Sequence, residues 1–313
     1  MSLLIVSLIV AAAMVLIHMI VVVGALISLA REPGSARAER MDAVEDTHAG
    51  PNERAAGGAL ATSVDVLIPA RDEEVLLPRL LESLRAQTTN EFGIVLVNDR
   101  SCDATPGIME EFAASLPGRV RVVTLTDEPT GGNPKQRALA AGSAQVTADV
   151  ILMTDADCLV PPDWVSTMAE PFRDERVGLV FGPVIPGTQG TGRRMGFLDR
   201  FQSFDQVFRF QYTAGAAGFG APSGGFGNNL AVRSRALADA GGFEGLRYST
   251  TEDAQLICQV RETERWTIRA IRRAGARVVP ATEPRIGPLV RQSIRWNTGG
   301  LFAPDPTARL SYG

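Results

Sequence analysis

The chain has 313 residues, 45% of them hydrophobic, enough for one large or two small folded units with a substantial core. A net charge of −4 gives no reason to expect nucleic-acid binding. Three widely spaced cysteines (Cys102, Cys158, Cys258) fit neither a disulfide framework nor a zinc site, and two histidines (His18, His48) argue against a histidine triad or a histidine metal centre.

Residues 3–30 carry no charged side chain. As a helix rising about 1.5 Å per residue they would extend about 42 Å, more than the ~30 Å hydrocarbon layer of a bilayer. The leader lacks the basic residues of a signal peptide, so residues 1–30 are expected to be a retained transmembrane anchor. Arg31, Arg37 and Arg40 follow the segment and no Lys or Arg precedes it. That bias predicts a single-pass protein of the inner (cytoplasmic) membrane with its catalytic part in the cytoplasm. Residues 31–62, rich in Ala, Gly, Glu and Arg, are expected to be a flexible linker.

From Val64 strands and helices alternate. The pattern predicts strands over 64–69, 92–98, 121–125 and 149–154, and helices around Leu77, Leu80, Leu81 and Leu84, over 105–116 and over 135–145. This reads as an α/β unit over 63–303, a mostly parallel sheet flanked by helices. Farther on, 177–181 and 229–232 read as strands, and the glycine-rich 215–227 as a loop lining the site. Phe197, Phe201, Phe204 and Phe208 recur at helical spacing near Arg193, Arg194, Arg200 and Arg209. Such a helix either lies on an anionic membrane surface or buries its aromatic face in the core, the commoner case.

In open α/β sheets ligands bind beyond the carboxyl ends of the strands. Each such end here carries acid: Asp72-Glu73-Glu74, Asp99, and Asp155 with Asp157. A carboxylate pair after a strand suits a hard cation, Mg²⁺ or Mn²⁺, that would neutralise a departing diphosphate. An acidic surface turn is the plainer reading of the pair taken alone. Asp103 is the better helix cap and Asp99 the better contact to a nucleotide. Lys135 is the only lysine beside 30 arginines, which reflects codon bias, chance, or a place that needs a compact ammonium. A cation at a helix start opposes the dipole, so an anion such as a diphosphate is expected nearby.

The stretches VDVLIPARDEE, VLVNDRSCDAT, NPKQRAL, ILMTDADC, TEDAQL and QSIRW, within residues 64–296, resemble an inverting family 2 glycosyltransferase with a GT-A catalytic domain. Thr251-Glu252-Asp253 with Gln292-Ser293-Ile294-Arg295-Trp296 is similar to the membrane synthase branch, which includes cellulose, chitin and hyaluronan synthases and ceramide glucosyltransferases. The resemblance implies that Asp72 and Asp99 contact the nucleoside, Asp155 the nucleotide and metal, and Asp157 the metal. It implies Asp253 as general base, with Glu252 beside it toward the acceptor, although spacing alone does not separate the two as the base. Gln292 and Arg295 would lie near the diphosphate and Trp296 near the acceptor, where an aromatic face offers a platform for a sugar or lipid. Without the resemblance, Trp296 reads as a core residue of a helix.

Synthases of that branch continue into further membrane helices, whereas this chain ends at Gly313, with residues 304–313 as a tail. A short product, a truncation or a membrane-protein partner would each account for that. The expected activity is transfer of one sugar from a nucleotide-diphosphate sugar, UDP-linked in the favoured case, to a membrane-associated lipid or glycan. The alternatives are a processive synthase subunit that needs a membrane partner and a noncatalytic nucleotide-sugar-binding subunit. A nucleotidyltransferase would show a glycine-rich basic loop where Pro69-Ala70-Arg71-Asp72-Glu73 stands.

Overall fold

A computed structural model describes residue 60 and residues 62–127, 132–188, 194–222, 224–247, 249 and 251–301. The first half follows the predicted alternation: β1 (Val64–Ala70), α1 (Leu77–Arg85), β2 (Gly93–Asp99), α2 (Thr105–Ser115), β3 (Val120–Leu125), α3 (Pro134–Ser143) and β4 (Val150–Met153). After it come β5 (Cys158–Leu159), α4 (Trp164–Ala169), β6 (Val177–Phe181), α5 (Phe197–Gly218), β7 (Leu230–Arg233), α6 (Ser234–Asp239), α7 (Glu252–Glu262), β8 (Thr267–Ala270), β9 (Val279–Pro280) and α8 (Ile286–Leu301).

Seven strands form one sheet in the order β3-β2-β1-β4-β7-β6-β8. Its pairs are parallel except those that β7 makes with β4 and β6. The expected mixed α/β architecture with a largely parallel sheet is therefore observed. Register aligns the site: Ala70 pairs with Asn98 and Leu67 with Met153, so the segments after β1, β2 and β4 emerge along one edge.

Residues alternate between the sheet's faces, as period 2 requires. Val66 and Ile68 join Leu77, Leu80, Leu84, Met109 and Trp164 on one side. Leu67, Val95 and Val97 join Leu139, Phe181, Phe210 and Ile257 on the other. Buried Asn229 ties the layers. It accepts from Trp164 Nε1 (3.0 Å) and donates to the carbonyls of Pro183 (2.8 Å) and Ala276 (2.7 Å).

Three expectations are corrected here. Residues 215–218 are helical, because α5 runs on through its small residues before the loop begins. The aromatic stripe does not pack inward. Phe197, Phe201, Phe204 and Phe208 are exposed, while Asp199, Gln202, Gln206, Phe210 and Thr213 form the buried face of α5. The single-pass anchor is not supported, nor is the inner-membrane location drawn from it. Among the described residues no helix is long and apolar enough to cross a membrane. Helix α5 has 22 residues, yet Asp199, Arg200, Asp205 and Arg209 interrupt it. The predicted anchor (1–30) and tail (304–313) lie outside the described residues, as does the predicted linker except residues 60 and 62.

Helix α3 approaches the sheet closely at Gly142, where an added Cβ would stand 2.3 Å from Leu67 Cδ1 and 2.6 Å from Val97 Cγ2. Gly142→Val should lower stability by about 1–3 kcal/mol through overpacking. Urea denaturation checks this, and an unchanged midpoint would contradict the close packing.

Candidate active site

The loops after β1 and β2 are stitched together by side chains. Asp72 Oδ1 accepts from the Cys102 amide (2.8 Å), and the Asp72 amide donates to Ser101 Oγ (3.0 Å). The Glu73 amide donates to Thr105 Oγ1 (2.8 Å) and the Glu74 amide to Asp103 Oδ2 (3.0 Å). Asp103 also accepts from the Thr105 amide (2.9 Å), but it stands one residue before the N-cap, which is Ala104, so the helix cap expected of it is not formed. Asp72 and Arg100 both adopt left-handed backbone, with φ of 55° and 59°. That conformation is uncommon outside glycine and tends to collect at functional sites. Asp99 is buried and paired with the Arg100 guanidinium at 2.8 Å.

Lys135 sits where three elements meet. Asn133 caps α3: its Oδ1 accepts from the amides of Lys135 (3.0 Å) and Gln136 (3.4 Å), and Pro134 follows, as helix starts favour. The Lys135 ammonium lies 2.6 Å from Asp155 Oδ1, after β4, and 3.1 Å from Glu252 Oε1, at the start of α7. The anion expected near this cation is thus supplied by the protein's own carboxylates. Burial would lower the Lys135 pKa, but Asp155 and Glu252 raise it well above the ordinary lysine value.

The two acids that open α7 have different surroundings. Both oxygens of Glu252 are engaged, Oε1 by Lys135 and Oε2 by Asn133 Nδ2 (3.1 Å). Burial works against its ionisation, yet Lys135 and these hydrogen bonds hold its carboxyl below the usual range. Asp253 accepts from the amides of Gly227 (2.7 Å) and Ala254 (2.8 Å). Burial and the charge of Glu252 nevertheless push it up to about 6. Asp157 is likewise raised to about 6 by burial and by Asp155, and Glu73 to about 7 by burial, Asp157 and Asp155.

Lys135, Asp155, Glu252 and Asp253 therefore form one charged group, with Asp157 and Glu73 coupled to it. Asp72 and Asp99 stand on the neighbouring strand ends. Gln292, Arg295 and Trp296 lie on α8, where Gln292 and Trp296 are half-buried and Arg295 is exposed. Trp296 takes a cation–π contact from Arg209 of α5, with 6.0 Å between guanidinium carbon and ring centre.

The sequence pattern by itself assigns no separate role to Glu73, Asn133 or Gly227. Asn133-Pro134 carried a readable helix-start signal, and Glu73 lay within an acidic triplet. Gly227 acts through its amide, which composition does not reveal.

For a metal, the donor chemistry fits. Asp155 and Asp157 are hard oxygen donors, and the charge of Asp155 raises the cost of ionising Asp157, a cost that a cation between them would relieve. Among the described residues no three His, Cys, Asp or Glu side chains converge into a cage. Mg²⁺-type binding does not require such a cage, because one or two carboxylates are completed by substrate phosphates and water.

The family model described as Glycosyl transferase family 2 matches residues 65–236. "Probable glycosyltransferase YdaM" of Bacillus subtilis (strain 168) is 28% identical over 203 residues, 63% of this chain and 46% of that protein. An undecaprenyl-phosphate 4-deoxy-4-formamido-L-arabinose transferase of Serratia proteamaculans (strain 568) is 33% identical over 110 residues, 34% of this chain and 33% of that protein. The chain spans less than half the length of either relative. The solved structure of mannosyltransferase PcManGT from Pyrobaculum calidifontis, in complex with GDP-Man and Mn²⁺, superposes with a TM-score of 0.59 at 17% identity. It covers 96% of this chain and 79% of that one, a likeness of fold that agrees with the GT-A-like expectation.

The raised carboxyls set a pH dependence of stability. Glu73, Asp157 and Asp253 hold protons in the folded state up to about pH 7, 6 and 6, above their ordinary carboxyl values. Between roughly pH 4.5 and 7 the folded state therefore binds more protons than the unfolded chain, and stability rises as pH falls. Glu252 has the opposite sign, but its contribution is lost only below that window. Metal-free protein should show a higher Tm at pH 5.5 than at pH 7.5, and Glu73→Gln should narrow the difference. A Tm that rises from pH 5.5 to pH 7.5 would contradict these environments.

Proposed function

Since the chain belongs to glycosyl transferase family 2, we propose that it transfers a sugar from a nucleotide-diphosphate donor to a hydroxyl of a lipid or glycan acceptor, with inversion at the anomeric carbon. A UDP-linked donor is the favoured case. The contrast between Glu252 and Asp253 carries this reading. Glu252 is clamped from both sides and held as an anion, whereas Asp253 has a pKa of about 6, near where a general base works best. Spacing alone left the two open as the base; their surroundings favour Asp253.

Asp72 and Asp99, beyond neighbouring parallel strands, are suited to hold the nucleoside, and Asp99 would do so with Arg100 as a paired unit. Asp155 and Asp157 would hold Mg²⁺ or Mn²⁺, which when bound supplies positive charge to the departing diphosphate. Lys135 would turn part of its charge toward the same phosphates. Gln292 and Arg295 would complete the phosphate contacts, and Trp296 would flank the acceptor. The acceptor oxygen bonds to the anomeric carbon, the bond to the diphosphate breaks, and the hydroxyl proton passes to Asp253. The membrane synthase branch rests on TED and Q-x-x-R-W, and a lipid acceptor gains support from the undecaprenyl-phosphate transferase relative. An acceptor phosphate would arrive already ionised and need no base, so the same variants separate the two acceptor chemistries.

The test incubates the protein with labelled UDP-, GDP- and dTDP-sugars and candidate acceptors, with products read by mass spectrometry. Asp157→Ala should abolish donor turnover. Asp253→Asn should keep donor binding and lose transfer by about 10²–10⁴-fold. Full transfer by Asp253→Asn would remove the base and point to a phosphate acceptor.

A further inference from the structure

The proposed displacement needs Asp157, on the side of the departing diphosphate, and Asp253, on the side of the acceptor, to keep a fixed separation. Small misplacements cost rate steeply when reacting atoms must line up. Lys135 ties the other members of these acidic pairs, Asp155 and Glu252. A separate turn reaches Asp157 and Asp253 themselves. Residues Phe226 to Asn229 form it, closed by the Asn229 amide on the Phe226 carbonyl (2.9 Å). The buried side chain of Asn229 roots the turn in the core through Trp164, Pro183 and Ala276.

The two central residues of the turn serve one carboxylate each. Gly227 donates its amide to Asp253 Oδ2 (2.7 Å), an approach eased by the missing side chain, since a Cβ there would stand 3.2 Å from Asp253 Cβ. Asn228 Nδ2 donates to Cys158 Sγ (3.7 Å), and Sγ donates to Asp157 Oδ1 (3.5 Å), both long because sulfur is large. Cys158 is buried, so water does not compete for these bonds. A thiol has one hydrogen, and Asn228 takes the lone-pair side of the sulfur. The hydrogen is thereby left to Asp157, and it fixes the side-chain rotation of that acid.

We propose that Asn228 and Cys158 are positioning residues that, through this turn, fix where the Asp157 carboxylate stands relative to Asp253. The link runs from Asp157 through the Cys158 thiol to the Asn228 side chain, along the backbone to Gly227, and through its amide to Asp253. Neither residue needs to touch substrate. The competing account makes Cys158 a small buried apolar group that only fills space. The catalytic consequence rests on the proposed roles of Asp157 and Asp253; the hydrogen-bonded link does not.

The link is read first without metal or substrate. In the full chain carrying Cys102→Ser and Cys258→Ala, Cys158 is the one thiol left, and the infrared band of its S–H stretch reports its hydrogen bonds. Asn228→Ala and Asp157→Ala should each move that band, Asp157→Ala to higher wavenumber. A band that neither substitution moves would overturn the link. The consequence is read as nucleotide released, with Mn²⁺, from UDP-glucose, UDP-N-acetylglucosamine or GDP-mannose, whichever wild-type protein turns over fastest. Cys158→Ala and Asn228→Ala should each lower kcat about tenfold, with donor KM within about twofold of wild type. Cys158→Ser, which keeps a donor and an acceptor, should recover most of the loss. The double variant should be no slower than either single one, because both break the same link. A wild-type rate for Cys158→Ala, or losses that multiply in the double variant, would overturn the positioning role. Wild-type protein that turns over none of these donors would count against the proposed function, and the infrared band would still decide the link.

Discussion

The ammonium of Lys135 holds the end of β4 to the start of α7 through Asp155 and Glu252, residues 97 positions apart in sequence. Without that cation two carboxylates would face each other across a partly desolvated space with nothing to offset their repulsion. With it, Glu252 stays ionised and fixed, and Asn133 completes its partners. The bridge also explains how a lysine can open a helix. The dipole disfavours it there, but two anions at hydrogen-bond distance outweigh that modest penalty.

The division between Glu252 and Asp253 follows from this bridge. Neighbouring acids at one helix start cannot both be stabilised equally, and the lysine reaches Glu252. The fixed charge of Glu252 then acts on Asp253 and, with burial, moves its pKa toward neutrality. The same logic recurs at the end of β4, where Asp155 has the lysine at 2.6 Å and Asp157 is raised by burial and its neighbour. Each acidic pair thus holds one member in an ion pair and one that keeps its proton to a higher pH than an ordinary carboxyl, a pattern that suits binding of a cation at one pair and acceptance of a proton at the other.

The first half of the fold was legible in the residues. Continuous apolar runs such as VDVLIPA and GIVLVND read as strands buried on both faces, and the leucines of α1 read as a helix by spacing. The second half was harder for physical reasons. Strands β5 and β9 are two residues each, too short for any period, and β8 alternates weakly. The acids of the site were visible as residues after strands, but their unequal environments were not, because those depend on Lys135 and Asn133 arriving from α3. The aromatic stripe showed its helical period in the sequence but not its direction. Burial assigns Phe210 to the core and the four other phenylalanines to the surface.

A double-mutant cycle on Lys135→Met and Glu252→Gln, read by chemical denaturation, tests the central claim most directly. If the ammonium bridge fixes Glu252, the two substitutions should be coupled by about 1 kcal/mol or more. Effects that add to within about 0.3 kcal/mol would mean the two groups do not depend on each other, and the separation of Glu252 from Asp253 would lose its physical basis.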